Sequence, residues 1–89
     1  MSEQDLLIVN HMNWADKIAV NRTKRLPRCV TLDDIKSAAY LGLVDAATRW
    51  KRHYGVPFTA YAATRISGSI TDYLRELLRW KFESLSDAI

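Results

Sequence analysis

Apolar residues recur along this chain at helical rather than strand spacing. Between residues 3 and 25, Leu7, Trp14, Ala15, Ile18 and Ala19 fall on one side of a helix, with the pattern interrupted near Asn10–Asn13. The expectation is a short helix, a break at that interruption, and a second helix ending before Leu26-Pro27, because a residue ahead of proline avoids the helical region. Thr31 then suits an N-cap, and Asp33 and Asp34 fall in the first turn, where the helix dipole favours negative charge. Ile35, Ala39, Leu43, Ala46 and Trp50 trace one face of a helix expected to run to about Arg52. Gly42 in that helix costs about 1 kcal/mol relative to alanine, which points to close approach of another helix. Tyr54-Gly55-Val56-Pro57 is the clearest turn.

The last helix is expected to open at Phe58-Thr59, with Thr59 as its cap. Ala62, Ile66, Ile70, Tyr73, Leu74, Leu77 and Trp80 form its expected buried stripe. The opposite face carries Thr64, Ser67, Gly68, Thr71 and Arg75, a line of small or hydrogen-bonding side chains. The pattern thus predicts an all-α fold, a compact bundle of three to four helices. One domain is expected over residues 1–83, with a frayed tail over 84–89.

Composition narrows the chemistry. At 89 residues the chain is one domain, and its 48% apolar content suffices for a thin core. Three glycines and two prolines provide too little turn chemistry for a many-stranded fold. No apolar run approaches the roughly 20 residues that span a bilayer, and the start lacks a basic segment ahead of its apolar stretch. No membrane role is expected, and a cytoplasmic location is. The single cysteine, Cys29, has no partner for an internal disulfide and is expected to be a packed or loop thiol. One cysteine and two distant histidines do not make a metal cage, and no cofactor is implied. Glycine-rich phosphate loops and hydrolase motifs are missing, and His11, His53 and Cys29 stand near no obvious catalytic partner. An enzyme is not expected.

Charge is zoned. The net charge is only +3, but Lys17, Arg22, Lys24, Arg25 and Arg28 form a run without an acid. Arg49, Lys51, Arg52 and Arg65 form a second acid-free zone. Such zoning makes a positive face suited to a polyanion, with an ordinary solvated helix surface as the open alternative.

The order and spacing of Leu26-Pro27, Leu32-Asp33-Asp34, Gly42-Leu43, Ala46, Gly55, Phe58-Thr59, Tyr61-Ala62, Arg65-Ile66, Gly68, Asp72 and Leu74-Arg75 resemble domain 2 of bacterial RNA polymerase sigma factors, of the flagellar and sporulation type. The resemblance covers about residues 14 to 80. It implies a helical bundle of the sigma domain 2 type, and it implies two partners. The helix around Asp33–Trp50 would dock on the clamp of the largest subunit of core RNA polymerase, through Asp34, Ser37, Tyr40, Leu41 and Val44. The open alternative is that Leu41 and Val44 pack against the first helix. The helix around Phe58–Arg75 would hold the melted non-template strand of the −10 promoter element. There Tyr61 would stack on a base, and Thr64, Ser67, Gly68 and Thr71 would form the reading face. Lys51, Arg52, Arg65 and Arg75 would track phosphates. Phe58 occupies an aromatic position of the same motif, although its place beside the turn favours the core.

Departures from the family pattern carry information too. Primary sigma factors have tyrosine at the position of Val56 and tryptophan at that of Thr64, so weaker melting or a different −10 sequence is implied. Ser37-Ala38 stands where many members carry a long glutamine, which weakens the expected docking. The family's proline near Asn13 is missing, and so is its W-V-P ending, so the last helix is expected to continue through Leu77, Leu78, Trp80 and Phe82. The −35-reading domain of complete sigma factors does not fit in this length. Three expectations follow: an excised domain, a stand-alone split or phage-like sigma working with a second subunit that reads −35, or a regulator that occupies the polymerase without opening promoters. The Met1 start and unpunctuated end favour a complete small protein in a bacterial or phage-infected cell. A helical protein-interaction module without DNA binding is the remaining alternative.

Overall fold

The computed structural model describes residues 1–27 and 30–87, with side chains as far as Trp80. Cys29 and Arg28, for which a loop thiol and a place in the basic run were expected, lie outside the described residues. Three α-helices follow one another: α1 (Glu3–Thr23), α2 (Leu32–Arg49) and α3 (Phe58–Asp87), with a single 3-10 turn at Arg52–Tyr54 between the last two. The described residues contain no strand.

α1 is one continuous helix, which corrects the expected break at Asn10–Asn13. Asn10 and Asn13 are exposed, so their weak helix propensity costs only about 0.5 kcal/mol each, and Met12 between them is a good helix former. His11 repairs the interruption: its Nδ1–H donates to the Leu7 carbonyl at 2.7 Å, and its ring packs edge-on against Trp14 and Phe58. Ser2 caps the start by accepting from the Asp5 N–H.

α2 begins as expected, with the Thr31 hydroxyl accepting from the Asp34 N–H at 3.3 Å. It ends at Arg49, earlier than the expected Arg52, because Trp50 leaves helical geometry. The Trp50 indole N–H donates to the Val56 carbonyl at 3.0 Å, and its ring meets Phe58 edge-on, drawing the chain out of the helix. Gly55, at φ 77°, closes the following 3-10 turn rather than α2 itself. The first bond of α3 runs from the Tyr61 N–H to the Pro57 carbonyl at 3.2 Å. Thr59 therefore sits inside the first turn and is not the cap.

Helix α2 is the central rod. Ile35, Ala38, Ala39, Gly42, Leu43, Ala46 and Ala47 are all buried, against Ala15 and Ala19 of α1 and Ala62, Ile66, Ile70 and Leu74 of α3. Ile35, Leu43, Ile66 and Ile70 are the largest fully buried side chains, each contributing about 1.5–3 kcal/mol. Residue pairs give the directions. Ala38 meets Ser69 and Gly42 meets Ile66, so α2 and α3 are antiparallel. His11 meets Phe58 and Arg22 meets Thr71, so α1 and α3 run the same way.

Gly42 has the packing role its position implies. A Cβ there would lie 2.7 Å from the Ile66 Cα and 2.9 Å from the Arg65 carbonyl oxygen. The same close approach lets the Ser69 hydroxyl donate to the Ala38 carbonyl at 2.7 Å. With 30 residues, α3 is about 45 Å long and gives the molecule its 53 × 21 × 21 Å rod shape. It remains helical past the expected start of the tail at residue 84, while Ala88 and Ile89 lie outside the described residues. Leu77 is half-buried, but Leu78 and Trp80 are exposed, which corrects the placement of Trp80 in the buried stripe.

Candidate functional site

The outer face of α3 is set by what its inner face buries. With Ala62, Ile66, Ile70 and Leu74 in the core, Thr64, Arg65, Gly68 and Arg75 are exposed, and Tyr61, Ser67 and Thr71 are half-buried. All seven reach solvent along one side of the helix. A Cβ at Gly68 would meet nothing within 4 Å, so this glycine marks open surface, unlike Gly42.

Phe58 does not share that surface. It is 7% exposed, between His11 and Trp50, and serves the core, so direct nucleic-acid contact by Phe58 is corrected. Tyr61 lies beside Tyr54 with ring centroids 6.3 Å apart. Arg65 stacks over the Tyr61 ring at 5.4 Å, and its Nε and Nη2 donate to the Tyr61 hydroxyl at 3.3 and 3.2 Å. The Tyr61 phenol thereby holds the Arg65 guanidinium above its ordinary pKa, with nearby Asp45 acting in the same direction.

The basic residues differ in how free they are. Arg65 lies 3.6 Å from an Asp45 carboxylate oxygen, whose other oxygen meets Arg49 at 2.6 Å. Arg52 pairs with Glu3 at 2.6 Å and lies over the Trp50 ring. All three pairs are solvent-exposed and individually weak. Lys51 and Arg75 are exposed, and their side chains make no hydrogen bond or ion pair among the described residues.

On α2, Leu41 is 68% exposed and Val44 43% exposed, so neither packs against α1. Asp34 and Ser37 are exposed beside them. Tyr40 is different. It is half-buried on the α1 side, and its hydroxyl donates to the Asp16 carboxylate. That bond to Asp16, followed by burial, pushes the Tyr40 phenol pKa up. Tyr40 therefore clamps α1 to α2 and stands apart from the exposed apolar pair.

The two candidate surfaces meet at an open groove of about 850 Å³ between α2 and α3. Its floor includes Ala38 and Gly42, and Asp34, Asp45, Asp72 and Glu76 line it together with Arg65. Burial pushes up the pKa of Tyr73 in this groove, and its bond to Asp34 adds to the shift. The groove is more acidic than either helix suggests alone, because antiparallel packing interleaves carboxylates spread across more than forty residues of sequence. Helical periodicity places each of them on an outer face but does not reveal that two helices share the groove.

Sequence reasoning also missed Arg22 of α1. Its guanidinium reaches across to α3, where Nη1 donates to the Ser67 hydroxyl at 3.4 Å and Nη2 to the Thr71 hydroxyl at 3.0 Å. The acid-free run from Lys17 carried the charge signal but not the target. Among the described residues no cluster of histidine, cysteine and carboxylate side chains is arranged to hold a metal ion, and no helix is long and apolar enough to cross a membrane.

Comparison with known proteins identifies the family. The family described as Sigma-70 region 2 matches residues 7–80. RNA polymerase sigma factor FliA of Yersinia enterocolitica is 47% identical over 51 residues, covering 57% of this chain and 22% of that protein. The FliA sigma factor of Pseudomonas aeruginosa is 32% identical over 75 residues, covering 84% of this chain and 30% of that protein. That of Escherichia coli is 45% identical over 51 residues, or 57% of this chain and 21% of that protein. The chain thus spans between about a fifth and a third of the length of these relatives. No solved structure matches it. An all-helical bundle with the sigma-like motifs in register, matched from residue 7 to residue 80, places this chain in the Sigma-70 region 2 family.

Proposed function

We propose that this domain acts in transcription initiation, docking on the clamp of core RNA polymerase through α2 and holding the melted non-template strand of a −10 element on α3. The observation that carries the proposal is a pair of accessible surfaces, one on α2 and one on α3, that flank an open groove. Leu41 and Val44 form an exposed apolar pair rimmed by Asp34 and Ser37, the anatomy of a protein contact. Thr64, Gly68 and Arg75 lie open on the next helix beside the half-buried Tyr61, where an aromatic ring, a side-chain-free gap and a cation with no partner among the described residues suit an unpaired base and its phosphate. Arg65 reinforces the Tyr61 platform and stays close enough to solvent to meet a phosphate. Lys51 and Arg52 extend the cationic edge at the turn. Contacts to a −35 element would come from a second domain or subunit, and the bacterial cytoplasm, in the cell or during phage infection, is the compartment this role requires. No catalytic step belongs to it.

The test is association of the domain with purified core polymerase and a forked DNA bearing a single-stranded −10 non-template arm. Leu41→Asp is expected to abolish co-purification with polymerase while leaving thermal stability within a few degrees. Arg65→Ala with Arg75→Ala is expected to leave polymerase association intact, to weaken forked-DNA retention about tenfold or more and to flatten its salt dependence. Unchanged DNA retention in the double variant refutes the DNA role.

One observation favours a second interpretation. Asp34, Asp45, Asp72 and Glu76 line the groove beside the reading face, and Asp45 competes with any phosphate for Arg65. A regulator that occupies the polymerase without opening promoters would have this character, and it would give polymerase association with no retention of forked DNA.

A further inference from the structure

The hydroxyls of Ser67 and Thr71 behave differently from those of three other helical threonines. Thr23, Thr48 and Thr64 each donate to the carbonyl four residues earlier, as hydroxyls in helices commonly do. Ser67 and Thr71 instead accept from Arg22, and neither hydroxyl hydrogen finds an acceptor among the described residues. Arg22 meets no carboxylate among the described residues, and two of its five N–H donors are engaged. Lys24 and Arg25 follow on the same end of α1, and together with Arg22 and Asn21 they line a small concavity. One turn along α3, Arg75 continues the line as a cation with no side-chain partner among the described residues.

We propose that Arg22, Ser67 and Thr71 form a phosphate clamp between α1 and α3 that binds the DNA backbone at the edge of the nucleic-acid surface. This inference rests on the DNA-binding role given above and adds a contact from α1 to it. Donors dominate the chemistry: three guanidinium N–H groups and two hydroxyl hydrogens have no acceptor among the described residues. Phosphate oxygens satisfy all three side chains, and a guanidinium presents paired donors that match phosphate geometry. Two neutral hydroxyls anchor Arg22 without neutralising it, so its position is fixed and its charge stays available. A carboxylate in their place would hold the side chain equally well and cancel the charge, as Asp45 does in part for Arg65. The clamp reads no base. It fixes the register of the backbone against α3.

The experiment measures binding of the polymerase-bound domain to a forked DNA with a mixed-sequence single-stranded arm, by fluorescence anisotropy across a salt series. Arg22→Gln keeps an amide donor for the hydroxyls and removes the charge. It is expected to weaken binding about fivefold at moderate salt, equally for every arm sequence, and to lower the salt slope by about 1. Arg22→Lys is expected to retain the slope. Ser67→Ala with Thr71→Ala removes the two hydroxyl donors and is expected to weaken binding with the slope kept. A merely structural bridge would lower the thermal midpoint of Arg22→Gln and leave the slope unchanged, and that result overturns the clamp. If Arg65→Ala with Arg75→Ala weakens binding while Arg22→Gln does not, the clamp alone is wrong. If neither changes binding, the DNA role falls and the clamp falls with it.

Discussion

Substituting Gly42 and Gly68 by alanine separates the two uses of glycine in this domain. At Gly42 the added Cβ would sit 2.7 Å from the Ile66 Cα, 2.9 Å from the Arg65 carbonyl oxygen and 3.0 Å from the Ser69 Cβ. The two nearest atoms are backbone and cannot yield by rotating a side chain, so α3 must move away from α2. Overpacking of this kind costs about 1–3 kcal/mol. The displacement also lengthens the Ser69 to Ala38 hydrogen bond, now 2.7 Å, at a further cost of about 1 kcal/mol. Alanine recovers about 1 kcal/mol of helix propensity. The net expectation for Gly42→Ala is a loss of about 2 kcal/mol, or about 8–16 °C in thermal midpoint for a domain of this size. Gly68→Ala meets no atom within 4 Å and keeps the propensity gain, so its midpoint should rise by a few degrees. Its methyl projects onto the proposed reading face, so under that proposal forked-DNA retention should fall although stability rises. Circular dichroism melts of both variants, with the DNA measurement on Gly68→Ala, decide the matter. A Gly42→Ala midpoint at or above that of the parent would refute the close α2–α3 approach, and with it the shared groove.

Two further perturbations probe the contacts that position the surfaces. Tyr40→Phe removes the hydroxyl that ties α2 to Asp16 and should cost about 1 kcal/mol in urea unfolding at neutral pH. Because the folded-state phenol pKa is raised, the parent holds this stability below the unfolded value near 10 and loses it as pH climbs through the folded value. The gap between parent and variant should therefore be constant up to about pH 10 and close above it, and a gap that widened there would contradict the assignment. Trp50→Phe keeps a ring against Phe58 but loses the bond to the Val56 carbonyl. Faster amide exchange confined to residues 51–57, with helix content unchanged, is the expected result by hydrogen-exchange mass spectrometry.

The sequence by itself determined that the chain is helical, the inward stripes of its helices and the family motifs, because those depend on local order. Thr31 caps α2, Gly55 takes a left-handed turn, and the stripes of Ala39, Leu43 and Ala46 and of Ala62, Ile66 and Ile70 face inward, each readable within a window of about a dozen residues. What it did not determine is which outer-face residues become partners across helices. The Asn10–Asn13 interruption reads as a break until His11 is seen wedged between Trp14 and Phe58. Tyr40 has the same helical position as an exposed docking residue until α1 supplies Asp16. Arg65 looks like a free cation until α2 brings Asp45, and Arg22 looks like one more member of a basic run until α3 offers Ser67 and Thr71. Periodicity specifies the angle of a side chain about its own helix axis. Which neighbour lies at that angle follows from how the rods pack, and here the missing side chain of Gly42 sets how closely α2 and α3 approach.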